Sequence, residues 1–229
     1  MKKIAIGLSL GLNVLILCVA AWVALGGGVW LAMKFVINPQ QERVATQYEL
    51  LDVEPGDTVF LGDSITYGGQ WDELFPDTPT RQRGIDGDTT SGVLARLAPI
   101  ASAKPRQVFL LIGTDDLFFG VPEEEIVANV TEIVERILNA SPETEVYVQS
   151  VLPRAARYQQ RVESLNAALE PAVAPKATWI NLYPRFLDDA GTSIENNISN
   201  DELHLLGPGY MIWRDAITPM VARRSNPDQ

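Results

Sequence analysis

A doubly wound α/β layer structure is the architecture this sequence predicts, and three observations predict it. Two short runs, "TVFLG" (58–62) and "RQVFLLIG" (106–113), are largely apolar, as strands of a parallel sheet covered on both faces must be, and "EVYVQS" (145–150) and "ATWINL" (177–182) read as two further strands. Longer stretches with helical periodicity lie between them, and the connections are short, which makes an alternating sheet-and-helix order. About 190 residues follow the apolar N-terminal segment, enough for one domain with a sizeable core.

The elements follow in order. "MKKIAIGLSLGLNVLILCVAAWVALGGGVWLAMKFV" runs uncharged from Ile4 to Met33, longer than the roughly 20 residues a membrane span needs. Residues 1–37 are therefore expected to form an N-terminal transmembrane helix that tethers the protein to a membrane. A cleaved signal peptide, cut near Ala20 and Ala21, and a buried core helix are the alternatives. Lys2 and Lys3 favour an inside amino terminus, which would put the rest of the chain in the periplasm or outside the cell. Residues 38–56 read as linker and a short edge helix, with Val44, Tyr48 and Leu51 on one face, closed by Pro55-Gly56. The main domain is expected over 57–222. After the strand at 106–113, "VPEEEIVANVTEIVERIL" carries an apolar stripe from Ile126 to Leu138, with Pro122 and three glutamates suited to its first turn. A helix over 157–170, a last strand and a closing helix through "PGYMIWRDAITPMVARR" complete the pattern, and 223–229 read as a flexible tail.

Charge excludes one class of partner. Beyond residue 37 there are 15 Lys or Arg against 29 Asp or Glu, a formal charge of −14, and no basic patch offsets it. A nucleic-acid backbone would be repelled. Cys18 is the single cysteine, so neither an intrachain disulfide nor a cysteine metal cluster is available.

In open α/β sheets chemistry gathers at the carboxyl ends of the strands. Ser64, Gly87, Asp115 and Asp116 all fall after strands or in their connections. His204 is the only histidine, so base catalysis by an imidazole uses this residue or none. Asp201 lies three positions earlier, close enough in a turn to bind one ring nitrogen while the other faces Ser64. That is the arrangement in which serine attacks, histidine moves the proton and the acid fixes the tautomer. The plainer reading is a helix-capping serine and a surface histidine.

Four separated blocks together resemble the SGNH (GDSL-type) hydrolases. "GDSITYGG" (62–69) resembles the nucleophile block, "RGIDGDTTSGVLARL" (83–97) the second, "LLIGTDDL" (110–117) the third and "DELHLLGPGY" (201–210) the last, in the family's order over roughly residues 41–222. The resemblance implies a three-layer α/β/α sandwich on a parallel sheet of about five strands. It also implies cleavage of carboxylic esters, such as sugar acetyl or lipid acyl esters, with no cofactor and no metal. Carried over residue by residue, it makes Ser64, His204 and Asp201 the triad. The backbone N–H groups of Ser64 and Gly87 become oxyanion donors, together with the side chain at position 115. One block departs: the family has Gly-x-Asn-Asp, and here Asp115 replaces the asparagine whose amide is the third donor. An ionised carboxylate has no proton to give, and losing one such donor costs roughly 3 to 4 kcal/mol. A slowed enzyme, a protonated Asp115 and a carboxylate turned aside are the three accounts left open. Asp86 occupies a place where the family commonly has a second glycine, while Asp63, Asp88 and Asp116 read as loop-holding acids.

Two other classes remain. The carboxylates with His204 are enough donors for a divalent metal and phosphate-ester hydrolysis, though no spacing matches a ligand motif. A tethered domain that binds carbohydrate or acyl groups without turnover is the second. Trp71, Phe75, Phe118 and Phe119 follow the first and third blocks and can line a substrate cleft or merely cover the core.

Overall fold

The computed structural model describes residue 13 and residues 15–221. By their contacts the residues fall into two compact units, one up to Arg43 and one from Val44 onward.

In the first unit the apolar run is not one continuous helix. Val23–Gly27 and Met33–Ile37 are π-helical turns, separated by a five-residue α-helix, Gly28–Ala32. Gly26 takes φ +107°, far from the helical value near −63°, so the regular ladder breaks at the glycine run. No helix among the described residues is long and apolar enough to cross a membrane. The expected transmembrane helix is corrected accordingly, and the membrane as a partner is left without support from this structure. Residues 1–12 and 14, on which part of that expectation rested, lie outside the described residues, as does the expected tail at 223–229.

The second unit is built on a five-stranded parallel sheet. Its strands are β1 (Thr58–Gly62), β2 (Thr80–Gly84), β3 (Gln107–Leu111), β4 (Glu145–Gln149) and β5 (Thr178–Ile180), in the order β2-β1-β3-β4-β5. Alternation along each strand separates two cores. Val59, Leu61, Val108, Leu110, Val146 and Val148 face one cluster, shared with helices Thr90–Ala95, Leu97–Ser102, Glu123–Ala140 and Gln159–Val173. Phe60, Phe109 and Tyr147 face the other, shared with Trp71, Trp213 and Ile217. The sheet thus has a covered face on each side, as the three-layer expectation requires. On the second face Phe60, Phe109 and Tyr147 sit in register and stack with centroids 5.4 and 4.6 Å apart. Trp71 lies on Phe60 at 3.9 Å, so an aromatic row crosses three strands directly beneath the carboxyl ends.

Within the second unit, the end of helix Asn38–Leu50 from Val44 on is fixed to β2 by Tyr48. Its hydroxyl donates to Gln82 Oε1 at 2.9 Å and to the Gly84 carbonyl at 3.1 Å, and the Arg83 guanidinium lies 4.7 Å from its ring centre. Leu51, expected on the packed face, is instead 56 % exposed, because the helix ends one residue earlier.

Candidate active site

The turn after β1 is set by close approach. A Cβ at Gly62 would run into the Leu111 carbonyl of β3 and the Thr66 side chain, and one at Gly84 would meet the Tyr67 amide. Only glycine lets both strand ends close on the chain between them. Asp63 then caps the one-turn helix Ser64–Tyr67: its Oδ1 accepts the Ile65 N–H at 3.0 Å and its carbonyl the Tyr67 N–H at 2.9 Å. Ser64 is the first residue of that helix and half-buried. From the closing helix Gly207–Val221, Tyr210 donates its hydroxyl to the Ile65 carbonyl at 2.8 Å, so the helix that follows the histidine loop also holds the serine turn.

The histidine loop brings the other two groups in. Ser199 and Leu205 form an antiparallel bridge, and Ala155 N–H, from the loop after β4, donates to the Glu202 carbonyl at 3.0 Å. Within this clasp Asp201 Oδ1 accepts the backbone N–H groups of Leu203 at 3.0 Å and His204 at 2.8 Å. Its Oδ2 lies 2.6 Å from His204 Nδ1, and His204 Nε2 lies 3.0 Å from Ser64 Oγ. Serine, imidazole and carboxylate form one continuous hydrogen-bonded chain across 140 residues of sequence. Burial works to raise the Asp201 carboxyl, but the bonds from the His204 ring and the two backbone N–H groups outweigh it and hold the group below the usual carboxylate range. The chain opens on solvent, with the side chains of His204 and Asp201 46 % and 47 % exposed.

Gly87 occupies the third position of a turn closed by Asp88 N–H to the Ile85 carbonyl at 3.2 Å, with φ +69°, a conformation glycine takes without strain. Asp115 lies in the first turn of helix Thr114–Phe119 after β3. Its Oδ2 is buried and has no hydrogen-bond partner among the described residues. Burial raises its pKa to about 6; the Arg154 guanidinium opposes the shift, the Asp116 charge adds to it and the His204 imidazole opposes it. Asp63, fully buried, is driven well above the usual range, by burial first and then by the charge on Asp115. Asp86 is raised by burial and lowered by His204. Three carboxylates besides Asp201 thus crowd the serine and imidazole.

Arg154, in the loop after β4, is a charged neighbour of Asp115 that sequence reasoning did not single out. It is buried, donates from Nη1 to the Thr114 carbonyl and hydroxyl at 2.9 and 3.0 Å, and stacks on Tyr158 at 4.0 Å. The only signal it gave was position, a cation just past the carboxyl end of a strand. Asp88 and Asp116 hold loops: Asp88 pairs with Arg96 at 2.8 Å, and Asp116 accepts the Thr90 N–H and hydroxyl, at 2.6 Å for the latter. Trp71 lies in the core at 1 % exposure, its indole N–H on the Thr66 carbonyl. Phe75 is likewise buried, whereas Phe118 and Phe119 are exposed at 46 % and 40 %. A cavity of about 620 Å³ beside β2, bordered by Tyr48, Tyr67, Gln70, Arg81 and Arg83, includes neither Ser64 nor His204. Among the described residues no three or more His, Cys, Asp or Glu side chains gather as a metal site.

Comparison with known proteins places this geometry among relatives. A sequence model of the GDSL-like lipase/acylhydrolase family matches residues 60–212. Platelet-activating factor acetylhydrolase IB subunit alpha1 of Bos taurus is 28 % identical over 217 residues, covering 89 % of this chain and 87 % of its own. Among solved structures, a Streptococcus pneumonia protein described as a candidate platelet activating factor superposes with a TM-score of 0.77 at 27 % identity, over 86 % of this chain and 99 % of its own. A GDSL-like lipase from Bacteroides thetaiotaomicron gives 0.67 at 26 %, over 80 % and 97 %.

Proposed function

Because this chain belongs to the GDSL-like lipase/acylhydrolase family and is an ester hydrolase, we propose that Ser64, His204 and Asp201 carry its reaction through an acyl-enzyme. The observation that carries this reading is the chain of two hydrogen bonds, 3.0 Å from Ser64 Oγ to His204 Nε2 and 2.6 Å from Nδ1 to Asp201. Ser64 Oγ attacks the ester carbonyl while Nε2 takes its proton. The carbonyl electron pair moves onto oxygen, where the backbone N–H groups of Ser64 and Gly87 are the donors. Collapse expels the alcohol, which receives the proton from His204, and water repeats the sequence to release the acid. Asp201, kept ionised by its three donors, fixes the tautomer and balances the imidazolium.

The substrate class we infer is small acyl esters, acetyl above all. Support comes from the relative named an acetylhydrolase. The test is a series of acetyl, butyryl and octanoyl esters with acetylated sugars alongside, run on the full chain with a fluorophosphonate probe. Turnover highest on acetyl esters, with labelling and turnover both lost in Ser64→Ala, supports the reading. Turnover surviving Ser64→Ala defeats the triad, and a preference for octanoyl esters defeats the acyl assignment.

A further inference from the structure

The side chains of Asp201 and His204 are half-exposed, so burial alone does not fix the imidazole against the serine, and what holds it lies in other loops. Glu202, within the same turn, takes φ +61°, a left-handed conformation that a residue with a Cβ keeps only where its surroundings impose it. In the turn it makes, the N–H groups of Leu203 and His204 both meet Asp201 Oδ1, and the Glu202 carbonyl accepts the Ala155 N–H at 3.0 Å. That bond ties the turn to the loop after β4. Ala155 is itself held: it is buried, and its carbonyl accepts the Tyr158 N–H at 2.8 Å. Its neighbour Arg154 donates from Nη1 to the carbonyl and hydroxyl of Thr114, at the head of the helix after β3, and stacks on Tyr158. No salt bridge among the described residues includes Arg154, and its Nε is buried without a hydrogen-bond partner there. A buried guanidinium with no carboxylate bound to it and one N–H idle is a poor source of stability. The bonds it does make run from loop to loop around the site.

We propose that Arg154 is a positioning residue for His204: by pinning the loop after β4 to Thr114, it keeps the Ala155 N–H where the left-handed turn at Glu202 meets it, and so holds the imidazole on Ser64 Oγ. The proposal rests on the Ser64–His204 reading above. Arg154 acts through two intermediaries, Ala155 and Glu202, and its effect is on how closely Nε2 approaches the serine proton. Displacing a reacting group by about 1 Å costs on the order of a hundred-fold in rate. Exchanging a buried charge that lacks an ion-pair partner for an apolar side chain of similar length costs little stability. Rate and stability therefore part company at this residue, which they would not do if it only held the fold together.

The test is Arg154→Met in the full-length protein, with Arg154→Lys and Thr114→Val beside it, assayed on p-nitrophenyl acetate and by nitrogen NMR of the imidazole. His204 is the only histidine, so its two ring nitrogens give a single assignable pair of signals that report which of them carries the proton. In Arg154→Met, kcat is expected to fall about ten- to a hundred-fold, with KM within about two-fold and a melting temperature close to the native one. The ring signals should move from the Nδ1–H form that Asp201 imposes towards the mixture of an unheld ring. Arg154→Lys keeps the charge without the planar fork, and Thr114→Val removes one of the two acceptors; both are expected to lie between. A folded Arg154→Met with native kcat, or with a lowered kcat and unchanged ring signals, overturns the proposal. Should that variant fail to fold, native kcat in both of the others overturns it. Indifference to residue 154 in a protein that Ser64→Ala inactivates removes only the role of Arg154, whereas activity surviving Ser64→Ala removes the triad itself.

Discussion

At Asp201 two backbone N–H groups and a ring nitrogen converge on one carboxylate, and at Asp115 no donor meets the buried oxygen. One fold thus keeps one aspartate charged and lets another resist charge. Asp201→Asn leaves the backbone turn an oxygen acceptor but offers the ring the wrong partner, so kcat should fall by roughly three to four decades with the melting temperature nearly unchanged. Steady-state kinetics beside thermal melts check this. Asp115 also bears on stability. Its folded pKa of about 6 lies above the ordinary carboxylate value, so the folded state binds the proton more tightly than the unfolded chain. Stability is therefore full at acid pH and declines as pH rises through that interval. Asp115→Asn escapes the decline and should be more stable than the native chain by roughly 1 to 3 kcal/mol at pH 8, and by almost nothing at pH 4, as urea unfolding at the two pH values will read.

Among the elements, helix Gly207–Val221 does two tasks: it starts three residues after His204 and reaches back through Tyr210 to the Ile65 carbonyl. Tyr210→Phe leaves that carbonyl without its donor, costing about 1 to 2 kcal/mol. It should also lower kcat several-fold by loosening the approach of Nε2 to Oγ; the same kinetics and urea unfolding measure both. The elements also show where sequence reading reaches its limit. β1, β3, β4 and β5 were legible because strands in such a sheet are largely apolar. β2 was not: "TRQRG" is an edge strand whose side chains face solvent, Tyr48 and a buried arginine site, and no apolar run marks it. Helices of four to six residues after β1 and β2 are too short for a period to emerge. The apolar length of the N-terminal run was plain, but its break depends on one glycine's backbone angle, which composition does not reveal. In the site, the unique His204 and the glycine-bounded Ser64 could be named from residue types. Arg154 and Tyr210 could not, because their roles come from contacts across 40 and 145 positions.

For the molecule as a whole the charge is −11, and several acids, Asp63, Asp86, Asp88, Asp115 and Asp116, are each raised chiefly by burial. Both features favour proton uptake by the folded state. The melting temperature should therefore climb as pH is lowered from 8 towards 5, and calorimetry across that range checks it; a melting temperature that drops on acidification contradicts the assignment. The openness of the His204–Asp201 pair has a consequence of another kind. In the proposed mechanism an acyl group on Ser64 is in contact with the bulk liquid, so whatever hydroxyl compound is abundant there competes with water to carry it away. Methanol or glycerol added to the assay should divert part of the product from free acid to a new ester, in a ratio that grows with the amount added.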